Sequence, residues 1–419
     1  MRPLRIGYIC ADVDIPILGH EGCSVKIREF TDALVEAGHD VFVLCSWLGE
    51  SKVPISMRAR VHVIEPRDLD EVAWNLLEHE EAIQNGNLER DLRSLLVNYW
   101  LASDGAEIIE RERPDLLVEC YSLFGYAGGD VARRLDIPFV LEVNAPLVQE
   151  QAGYIKFPFS RTADALEPEI FRRADVVVGV SDWVRDFVIS RGADPERVHA
   201  VANGVGEHFC IPVDGTEVRA RHGLQGKPVA GFVGSFHWWH DVRGLIDAFE
   251  TLYHEDGDVR LLLVGDGPER NAMQGYASER GLDGPIIFTG NVSHEFVPQY
   301  IAAMDVAVAP FRAQLDDDLY GSPMKLFEYM AVGTPSVSTA FGQITEIVEH
   351  DRTGWLYPAG DRQGLTDGLR TLLYDRERAA RIGAASRSTI IDEVSWKAVS
   401  ARILDLAEPL LDRSRSAVT

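Results

Sequence analysis

The 419-residue sequence predicts an α/β protein with two doubly wound domains, each built around a parallel sheet. Short apolar runs alternate with amphipathic stretches, which is typical of strands covered by helices on both faces. The alternation breaks in a polar, glycine-bearing segment, 206–227, and then starts again. The length also exceeds what one core usually accommodates. We therefore expect domains at 1–210 and 211–395, with a helix at about 396–413 that packs back on the first domain.

Five apolar runs predict the strands of the first domain: LRIGYIC, HDVFVLC, DLLVECY, PFVLEVN and DVVVGVS. The stretch from Trp47 to Trp100 is less regular and predicts an additional helical excursion. A glycine-bearing loop and a helix follow the first strand, in ILGHEGCSVKIREF. Glycines let the backbone approach a ligand closely, so Gly19, His20 and Gly22 are candidates to border a ligand. A flexible loop without a ligand is an equally good interpretation.

Six runs predict the strands of the second domain: VAGFVGSF, RLLLVGDG, IIFTGNV, VAVAPF, PSVSTAF and GWLYP. Ligands of doubly wound sheets bind beyond the carboxyl ends of the strands. A ligand that both domains share is therefore expected in a cleft between them, where the loops that follow these runs meet.

The segment SPMKLFEYMAVGTP predicts a helix that follows one of these strands. Ser322 is a suitable N-cap, proline is tolerated at the first helical position, and Gly333 can end the helix in the left-handed conformation. Ser322, Lys325 and Glu328 recur every three residues and share a face. The helix N-terminus and Lys325 suit a phosphate, while Glu328 suits the two hydroxyls of a ribose. The alternative is an ordinary amphipathic helix.

Other polar residues follow the predicted strands of the second domain. In FVGSFHWWHDVRG, Ser235, His240 and Arg243 precede a helix, and we expect His240 and Arg243 to contact a phosphate. Gly265 begins a Gly-x-Gly in VGDGPER that lacks the third glycine of a dinucleotide fingerprint, which favours a tight turn.

The loop LDDDLYG contains a pair of aspartates that resembles the carboxylate pair of metal-dependent sugar transferases. The pair is Asp316 and Asp318. In so acidic a chain, a solvated charge run is the better interpretation.

The composition limits the classes of partner. The 41 Lys and Arg against 66 Asp and Glu give a net charge of −25, which disfavours nucleic acid and anionic membranes. The five cysteines are scattered, so we expect free thiols and no structural metal. The sequence shows no run of about 18 apolar residues and no signal-peptide layout. These features favour a cytoplasmic protein without integral membrane contact.

The ordered series of motifs resembles glycosyltransferase family 4, whose members are retaining nucleotide-sugar transferases of GT-B fold. The resemblance rests on VGVSDWVRDFVISRGADPERVHAVANGV, GSFHWWHDVRGLIDAF, LLLVGDGPE, IIFTGNV, SPMKLFEYMAVGTPSV and EIVEHDRTGWLYPAGD. It implies two Rossmann-like domains facing across a cleft. The first would hold an acceptor and the second a sugar donor, with UDP or GDP as the expected nucleotide and no cofactor or metal.

The resemblance assigns Glu328 to the second glutamate of the family's E-x7-E motif, which binds the ribose. Tyr320 stands where the first glutamate would be. Ser235 and His240 stand where the family usually has an arginine and a lysine on the donor diphosphate. We infer that Lys325 and the amides after Gly321 and Ser322 take over much of that work, assisted by His240 and Arg243.

The segment FTGNV, 288–292, is expected to line the nucleotide base, mainly through its backbone, and the donor contacts include Asn291, Val292 and Gly265. The family commonly has a histidine near the scissile bond in the first domain, and Asn144 occupies that position in EVNAPL. Asn144 can hydrogen-bond the sugar or the acceptor but cannot act as a base. Gly19, His20 and Gly22 would border the acceptor.

The sequence thus predicts a retaining glycosyltransferase with a soluble acceptor, for example an aminocyclitol or antibiotic precursor. A transferase for a cell-surface polysaccharide or glycolipid is one alternative. An epimerase or hydrolase of GT-B fold, or a degenerate nucleotide-binding module, are others.

Overall fold

The computed structural model describes residues 2–50, 55, 57–64, 87–154, 157, 159–312 and 322–416. The chain divides into two compact units, Met1–Ala202 together with Val399–Thr419, and Asn203–Ala398. Each unit contains one parallel sheet with helices between its strands. The two doubly wound α/β domains that the sequence predicts are therefore confirmed.

The first unit contains a seven-stranded parallel sheet. Its strands are β1 (Arg5–Cys10), β2 (Asp40–Cys45), β3 (Arg60–Val63), β4 (Leu116–Cys120), β5 (Phe139–Val143), β6 (Val176–Gly179) and β7 (Val198–Ala200). Their order is β3-β2-β1-β4-β5-β6-β7, so the winding reverses direction between β1 and β4. Strands β1, β2, β4, β5 and β6 were predicted. The two unpredicted strands are the edge strands, which are short and less apolar.

The helices of the first unit connect these strands. They are α1 (Gly22–Glu36), α2 (Asn87–Trp100), α3 (Ala106–Glu112), α4 (Ala127–Leu135), α5 (Leu147–Tyr154), α6 (Ser160–Arg173) and α7 (Asp182–Ser190). A single π-helical turn, Leu101–Gly105, joins α2 to α3. Helix α2 lies at the end of the stretch for which a helical excursion was predicted, and half of that stretch lies outside the described residues.

The second unit contains a six-stranded parallel sheet. Its strands are β8 (Val229–Val233), β9 (Arg260–Val264), β10 (Ile286–Gly290), β11 (Val306–Ala309), β12 (Ser336–Thr339) and β13 (Trp355–Tyr357). Their order is β10-β9-β8-β11-β12-β13, which places the reversal between β8 and β11. All six strands were predicted, and most of them are nearly continuous apolar runs, although β12 has the mixed sequence SVST. The apolar side chains of β8, β9 and β11 form the centre of the core.

Ten further helices complete the described part of the chain. They are α8 (Glu207–Cys210), α9 (Thr216–Arg221), α10 (Val242–Glu255), α11 (Arg270–Ser278), α12 (Val297–Ala302), α13 (Met324–Val332), α14 (Ile344–Ile347), α15 (Arg362–Tyr374), α16 (Arg376–Val394) and α17 (Trp396–Ser416). No helix among the described residues is both long enough and apolar enough to cross a membrane. None of the five cysteines, all of which lie within the described residues, forms a disulfide, as predicted.

The observed division of the chain differs slightly from the expected one. The first unit ends at Ala202, and helix α8, which was assigned to the first domain, belongs to the second unit. The reason is packing, because α8 lies against α13. The predicted C-terminal helix is present as α17, and its residues from Val399 onward belong to the first unit. Its first residue, Trp396, packs on Gly204 of the second unit.

Candidate functional site

The reversal of winding between β8 and β11 locates the candidate site of the second unit. Neighbouring strands whose connections leave in opposite directions open a crevice at their carboxyl ends, and ligands of doubly wound folds bind there. The segment after β8 leads through Ser235 and His240 into α10, and the segment after β11 leads into α13. Residues 313–321 of the latter lie outside the described residues, and with them Tyr320, Gly321 and the aspartates Asp316 and Asp318.

Helix α13 begins one residue later than expected. Its first helical residue is Met324, and Pro323 occupies the cap position without a side-chain cap. The prediction that Ser322 caps the helix is wrong, because its hydroxyl oxygen accepts a hydrogen bond from the backbone N–H of Asn203 at 3.2 Å. The predicted end is confirmed, since Gly333 is left-handed with φ +85°.

Tyr329 fixes helix α13 against the ends of the two central strands. Its hydroxyl oxygen accepts from the backbone N–H of Val233 at 2.9 Å. It also lies 3.3 Å from the carbonyl oxygens of Val233 and Val308, to one of which the hydroxyl proton can donate. Tyr329 is fully buried. The face that carries Lys325 and Glu328 is therefore held in register with β8 and β11.

Lys325 extends from this helix into an aromatic enclosure. Its Nζ lies 2.5 Å from Nε2 of His240 and sits 5.2 Å and 5.0 Å from the ring centroids of Phe232 and Phe311. Gly234 forms the adjoining wall, since a Cβ atom built there would come within 2.8 Å of Lys325 Cε. The backbone of Gly234 also has φ +148°. Glycine is therefore required for the lysine to occupy this place.

The enclosure changes the protonation of both side chains. Burial lowers the pKa of Lys325 to about 7, although nearby Glu328 acts in the opposite direction. Burial and the charge of Lys325 lower the pKa of His240 to about 2, so its ring is neutral. The Nδ1–H of His240 donates to the carbonyl oxygen of Ser235 at 2.7 Å, which leaves Nε2 as an acceptor for Lys325.

This geometry limits what His240 and Ser235 can contribute beside Lys325. Both ring nitrogens of His240 are engaged, and a neutral ring adds no positive charge beside a phosphate. Ser235 contributes its backbone carbonyl to the histidine. Of Ser235, His240 and Lys325, Lys325 is therefore the one that can carry a positive charge here.

Glu328 lies one turn beyond Lys325 and is almost fully buried, with 8% of its surface exposed. Its Oε1 accepts a hydrogen bond from Nε2 of His294 at 3.1 Å. His294 in turn packs against the rings of His208 and Phe209, each with a centroid separation of 5.2 Å. His294 was not among the predicted site residues. Its position just after the carboxyl end of β10 is the one signal that could have identified it.

The structure separates Arg243 from the lysine site. Its guanidinium lies 4.3 Å from the ring centroid of Tyr276, on the exposed face of α10. The buried residues of α10 are apolar, among them Leu245 and Phe249, whereas Arg243 lies on the exposed side of the helix. The expectation that Arg243 assists at the diphosphate is therefore not supported by its placement.

The remaining donor candidates lie in two loops of the second unit. Asn291 is exposed and Val292 is half-buried, directly after β10. Gly265 has φ +125°, and a Cβ atom there would come within 2.1 Å of the Gly234 carbonyl oxygen. The absence of a side chain at Gly265 thus lets the segments after β8 and β9 lie close to each other. This fits the tight turn that was predicted for VGDGPER. Ligand contacts of these three residues remain predictions.

The first unit also has a winding reversal, between β1 and β4, and the glycine-bearing loop follows β1. Gly19 is buried, and its carbonyl oxygen accepts a hydrogen bond from the guanidinium of Arg28 at 2.7 Å. His20 and Gly22 are exposed, and Gly22 is the first residue of α1. The loop is therefore tied to its helix, while its role at the acceptor remains a prediction.

Asn144 follows β5, and its amide donates to the sulfur of Cys120 at 3.4 Å. The neighbouring Glu142 is engaged within the fold. It accepts from the hydroxyl of Tyr8 at 2.7 Å and from Nζ of Lys26 at 2.9 Å. This buried cluster was not predicted, because its members come from distant parts of the sequence.

Comparison with known proteins identifies the class of both units. Residues 21–204 match the family model described as a glycosyl transferase 4-like domain, and residues 227–375 match the model for glycosyl transferases group 1. The structure is similar to Anabaena HepE in complex with UDP and glucose, with a TM-score of 0.72 and 18% identity. That similarity covers 96% of this chain and 98% of the other.

Two curated relatives illustrate the range of acceptors among similar sequences. A GDP-mannose-dependent phosphatidylinositol monomannoside mannosyltransferase of Mycolicibacterium smegmatis is 29% identical over 61% of this chain and 67% of its own length. A 2-deoxystreptamine glucosyltransferase of Streptomyces kanamyceticus is 27% identical over 71% of each chain. The two family models together span most of the sequence, one on each unit, and the chain belongs to the family 4 glycosyltransferases of GT-B fold.

Proposed function

We propose that this glycosyltransferase acts on a soluble acceptor and retains the configuration of the donor sugar without a metal ion. The transfer of a sugar from a nucleotide-sugar donor to an acceptor is the activity of the family to which it belongs. The observation that carries the finer proposal is the placement of Lys325 and Glu328 one turn apart on α13, beside the winding reversal of the second unit.

The spacing of these two side chains suits a nucleoside diphosphate. Lys325 and the N-terminus of a nine-residue helix together favour an anion at the first turn. Glu328 lies one turn deeper, about 5 Å along the axis, which suits the distance from a diphosphate to the ribose hydroxyls. A carboxylate accepts from two vicinal hydroxyls at once. We expect UDP or GDP to bind in this orientation.

The reaction needs positive charge where the donor departs. The bond from the acceptor oxygen to the anomeric carbon forms as the bond from that carbon to the phosphate oxygen breaks. The departing diphosphate gains negative charge, and a fixed ammonium group in an enclosed site stabilises it without reorganising. Lys325 supplies that charge in the proposed mechanism, which is why we propose metal-independent transfer.

We further propose that the acceptor proton passes to the departing phosphate oxygen, on the face that the leaving group vacates. Retention then needs no side-chain base. The neutral amide of Asn144 fits this scheme, since it can orient a hydroxyl but cannot take its proton. Full turnover in an Asn144→Ala variant would remove Asn144 from the mechanism.

The acceptor class is inferred from charge. A chain with a net charge of −25 attracts cations and repels anionic membrane surfaces. Of the two relatives described above, the 2-deoxystreptamine glucosyltransferase is the one whose named acceptor is a cationic aminocyclitol. We therefore propose a cytoplasmic enzyme for a soluble, cationic acceptor of that kind. The alternative is a membrane glycolipid, as the name of the mannosyltransferase suggests for that relative.

The proposal is tested by calorimetry followed by turnover. The purified protein is titrated with UDP, GDP and ADP, each with and without EDTA. Binding of one nucleotide that survives EDTA supports the donor site and the absence of a metal. The matching nucleotide sugar is then supplied with 2-deoxystreptamine, and the anomeric configuration of any product is read by NMR.

Three outcomes would favour the alternatives. Turnover that requires anionic liposomes would replace the soluble acceptor with a lipid. Conversion of the nucleotide sugar without any acceptor would indicate an epimerase or hydrolase. Nucleotide binding without turnover of any donor would indicate a degenerate binding module.

A further inference from the structure

The contact between Lys325 and His240 assigns a role to a histidine that carries no charge of its own. His240 is 5% exposed and comes from the segment after β8, whereas Lys325 comes from α13. Its ring lies between two groups, the Ser235 carbonyl oxygen at 2.7 Å and Lys325 Nζ at 2.5 Å. A ring held at both nitrogens cannot rotate without breaking one of these contacts.

The direction of each hydrogen bond follows from the donors and acceptors present. A carbonyl oxygen only accepts, so Nδ1 of His240 must carry the proton. Neutral imidazole has one proton, so Nε2 offers a lone pair, and a lysine ammonium group has only donors to give it. The Ser235 backbone therefore fixes the tautomer, and the tautomer makes His240 an acceptor directed at Lys325.

Lysine needs such a partner because its side chain is long and flexible. Without a fixed acceptor, the lysine side chain samples several rotamers. Ordering this side chain when a ligand binds then costs conformational entropy. The rings of Phe232 and Phe311 enclose the lysine but do not fix the direction of its N–H bonds. An acceptor behind the ammonium group directs its two remaining N–H bonds away from the ring.

We propose that His240 is a positioning residue that holds the Lys325 ammonium group toward the donor diphosphate and does not itself contact phosphate. The proposal rests on the proposed function, since it presumes that a diphosphate binds beside Lys325. The proposal explains how Lys325 is ordered in a site that has Ser235 and His240 in place of the family's usual arginine and lysine.

Two substitutions separate the roles of the two ring nitrogens. The side-chain nitrogen of asparagine approximates the position of Nδ1, so His240→Asn keeps a donor for Ser235 and loses the acceptor for Lys325. The side-chain oxygen of glutamine approximates the position of Nε2, so His240→Gln keeps an acceptor for Lys325. His254→Asn on the exposed face of α10 is a matched control, because the His254 side chain is 74% exposed.

Nucleotide affinity and turnover distinguish these variants. We expect His240→Asn to weaken binding of the preferred nucleoside diphosphate by about tenfold or more, the effect of one lost charge-assisted hydrogen bond. His240→Gln should stay within about threefold of the wild type, and His254→Asn should match it. In His240→Asn we expect kcat to fall along with affinity, since the leaving diphosphate uses the same ammonium group. His240→Asn binding and turning over as well as His240→Gln would overturn the proposal.

A second measurement does not depend on the nucleotide. With ¹⁵N-labelled histidine, the signal of His240 is assigned by its loss in His240→Gln, and its two-bond ¹⁵N–¹H correlations report the tautomer of the free protein. We expect a neutral ring protonated at Nδ1 at pH 7. A ring protonated at Nε2, or at both nitrogens, would overturn the inference. If the wild type binds no nucleotide while the tautomer is as expected, the proposed function fails and the histidine arrangement stands as a structural feature only.

Discussion

Glu328 accepts a hydrogen bond from His294 across 3.1 Å at the end of β10. The contact leaves one carboxylate oxygen and the unused lone pair of the other for a ligand. It also orders the carboxylate, which lowers the entropy cost of binding a pair of hydroxyls. We infer that His294 supports Glu328 as a recognition residue for a diol.

The first prediction concerns that diol. Glu328→Ala should weaken binding of the preferred nucleoside diphosphate by about tenfold to a hundredfold, because hydrogen bonds to a charged group contribute about 1.5–3 kcal/mol. The sharper comparison is between that nucleotide and its 2′-deoxy analogue, measured by calorimetry. The wild type should prefer the ribonucleotide, and Glu328→Ala should bind both equally. Glu349→Ala, at a side chain that is 62% exposed, is the control and should keep the preference. A preference for the ribonucleotide that persists in Glu328→Ala would show that another residue binds the ribose hydroxyl.

The second prediction follows from the lowered pKa of Lys325, which burial brings to about 7. Below that pH the free protein already carries the ammonium charge, whereas above it the binding of a diphosphate must also take up a proton. Affinity should therefore fall as the pH rises from 7 to 9, by up to about tenfold per pH unit. Within the described part of the chain, the titratable groups that act on Lys325 include Glu328 and His240, and His240 stays neutral across this range.

The matched variant for this pH dependence is Lys325→Arg. A guanidinium group stays charged up to pH 9, so the slope of affinity against pH should flatten even if the larger side chain lowers the affinity itself. Calorimetry in two buffers of different ionisation enthalpy gives the proton uptake directly. A wild-type affinity that is constant from pH 7 to 9 would contradict the prediction.

The sequence predicted the parts of the fold that local chemistry determines. Most of the central strands are apolar runs because helices cover both faces, and all six strands of the second unit were predicted, including the more polar β12. The edge strands β3 and β7 were missed, because an edge strand can be short and partly polar. The shared face of Lys325 and Glu328 and the end of α13 at Gly333 also followed from helical periodicity and capping.

The partners of these residues could not be predicted from local patterns. His240 lies 85 positions from Lys325 and His294 lies 34 positions from Glu328, so only the topology of the sheet brings them together. The predicted cap at Ser322 is wrong for the same reason. Its hydroxyl oxygen accepts a hydrogen bond from the backbone N–H of Asn203, which lies 119 positions away. The candidate helix could thus be predicted from the sequence, whereas the contacts that support it could not.

The third prediction concerns Glu119, a carboxyl group on β4 that is buried against α4. It is 1% exposed, and neither carboxyl oxygen has a hydrogen-bond partner within the part of the chain that the structure describes. A Cβ atom at Gly128 would come within 1.8 Å of its Oε2. Burial raises the pKa of Glu119 to about 8.

The folded state therefore holds a proton on Glu119 that the unfolded state releases above its ordinary pKa near 4.5. The contribution of this group to stability is full below that pH and declines as the pH rises toward 8. Glu119→Gln removes this titration. The melting temperature of the variant relative to the wild type should therefore rise between pH 5 and 8. The rise should be about 2–4 °C for each kcal/mol by which the free energy of unfolding of the wild type declines. Glu107→Gln, at an exposed position of α3, should show no such trend. A constant difference for Glu119→Gln would mean that the carboxyl is already solvated.

The fourth prediction concerns the buried ion pair between Lys26 of α1 and Glu142 of β5. Their charged atoms lie 2.9 Å apart, and both side chains are only 4% exposed. Burial alone would lower the pKa of Lys26, but the charge of Glu142, the hydrogen bond to it and the nearby Cys120 and Cys23 together raise that pKa above its ordinary value. The hydroxyl of Tyr8 donates to the same carboxylate oxygen. The pair connects a helix to a central strand of the first unit, and each charge depends on the other.

Lys26→Met should destabilise the protein by about 3–5 kcal/mol, because it leaves a buried carboxylate without its counter-charge. Adding Glu142→Gln removes that charge while keeping an acceptor for Tyr8, so the double variant should recover most of the loss. Urea unfolding of the wild type, both single variants and the double variant gives the coupling energy. Arg2→Met serves as the control, since Arg2 pairs with Asp115 at the surface with 57% of its side chain exposed, and it should cost less than about 1 kcal/mol. Losses that simply add in the double variant would show that the two charges are stabilised independently, by groups other than each other.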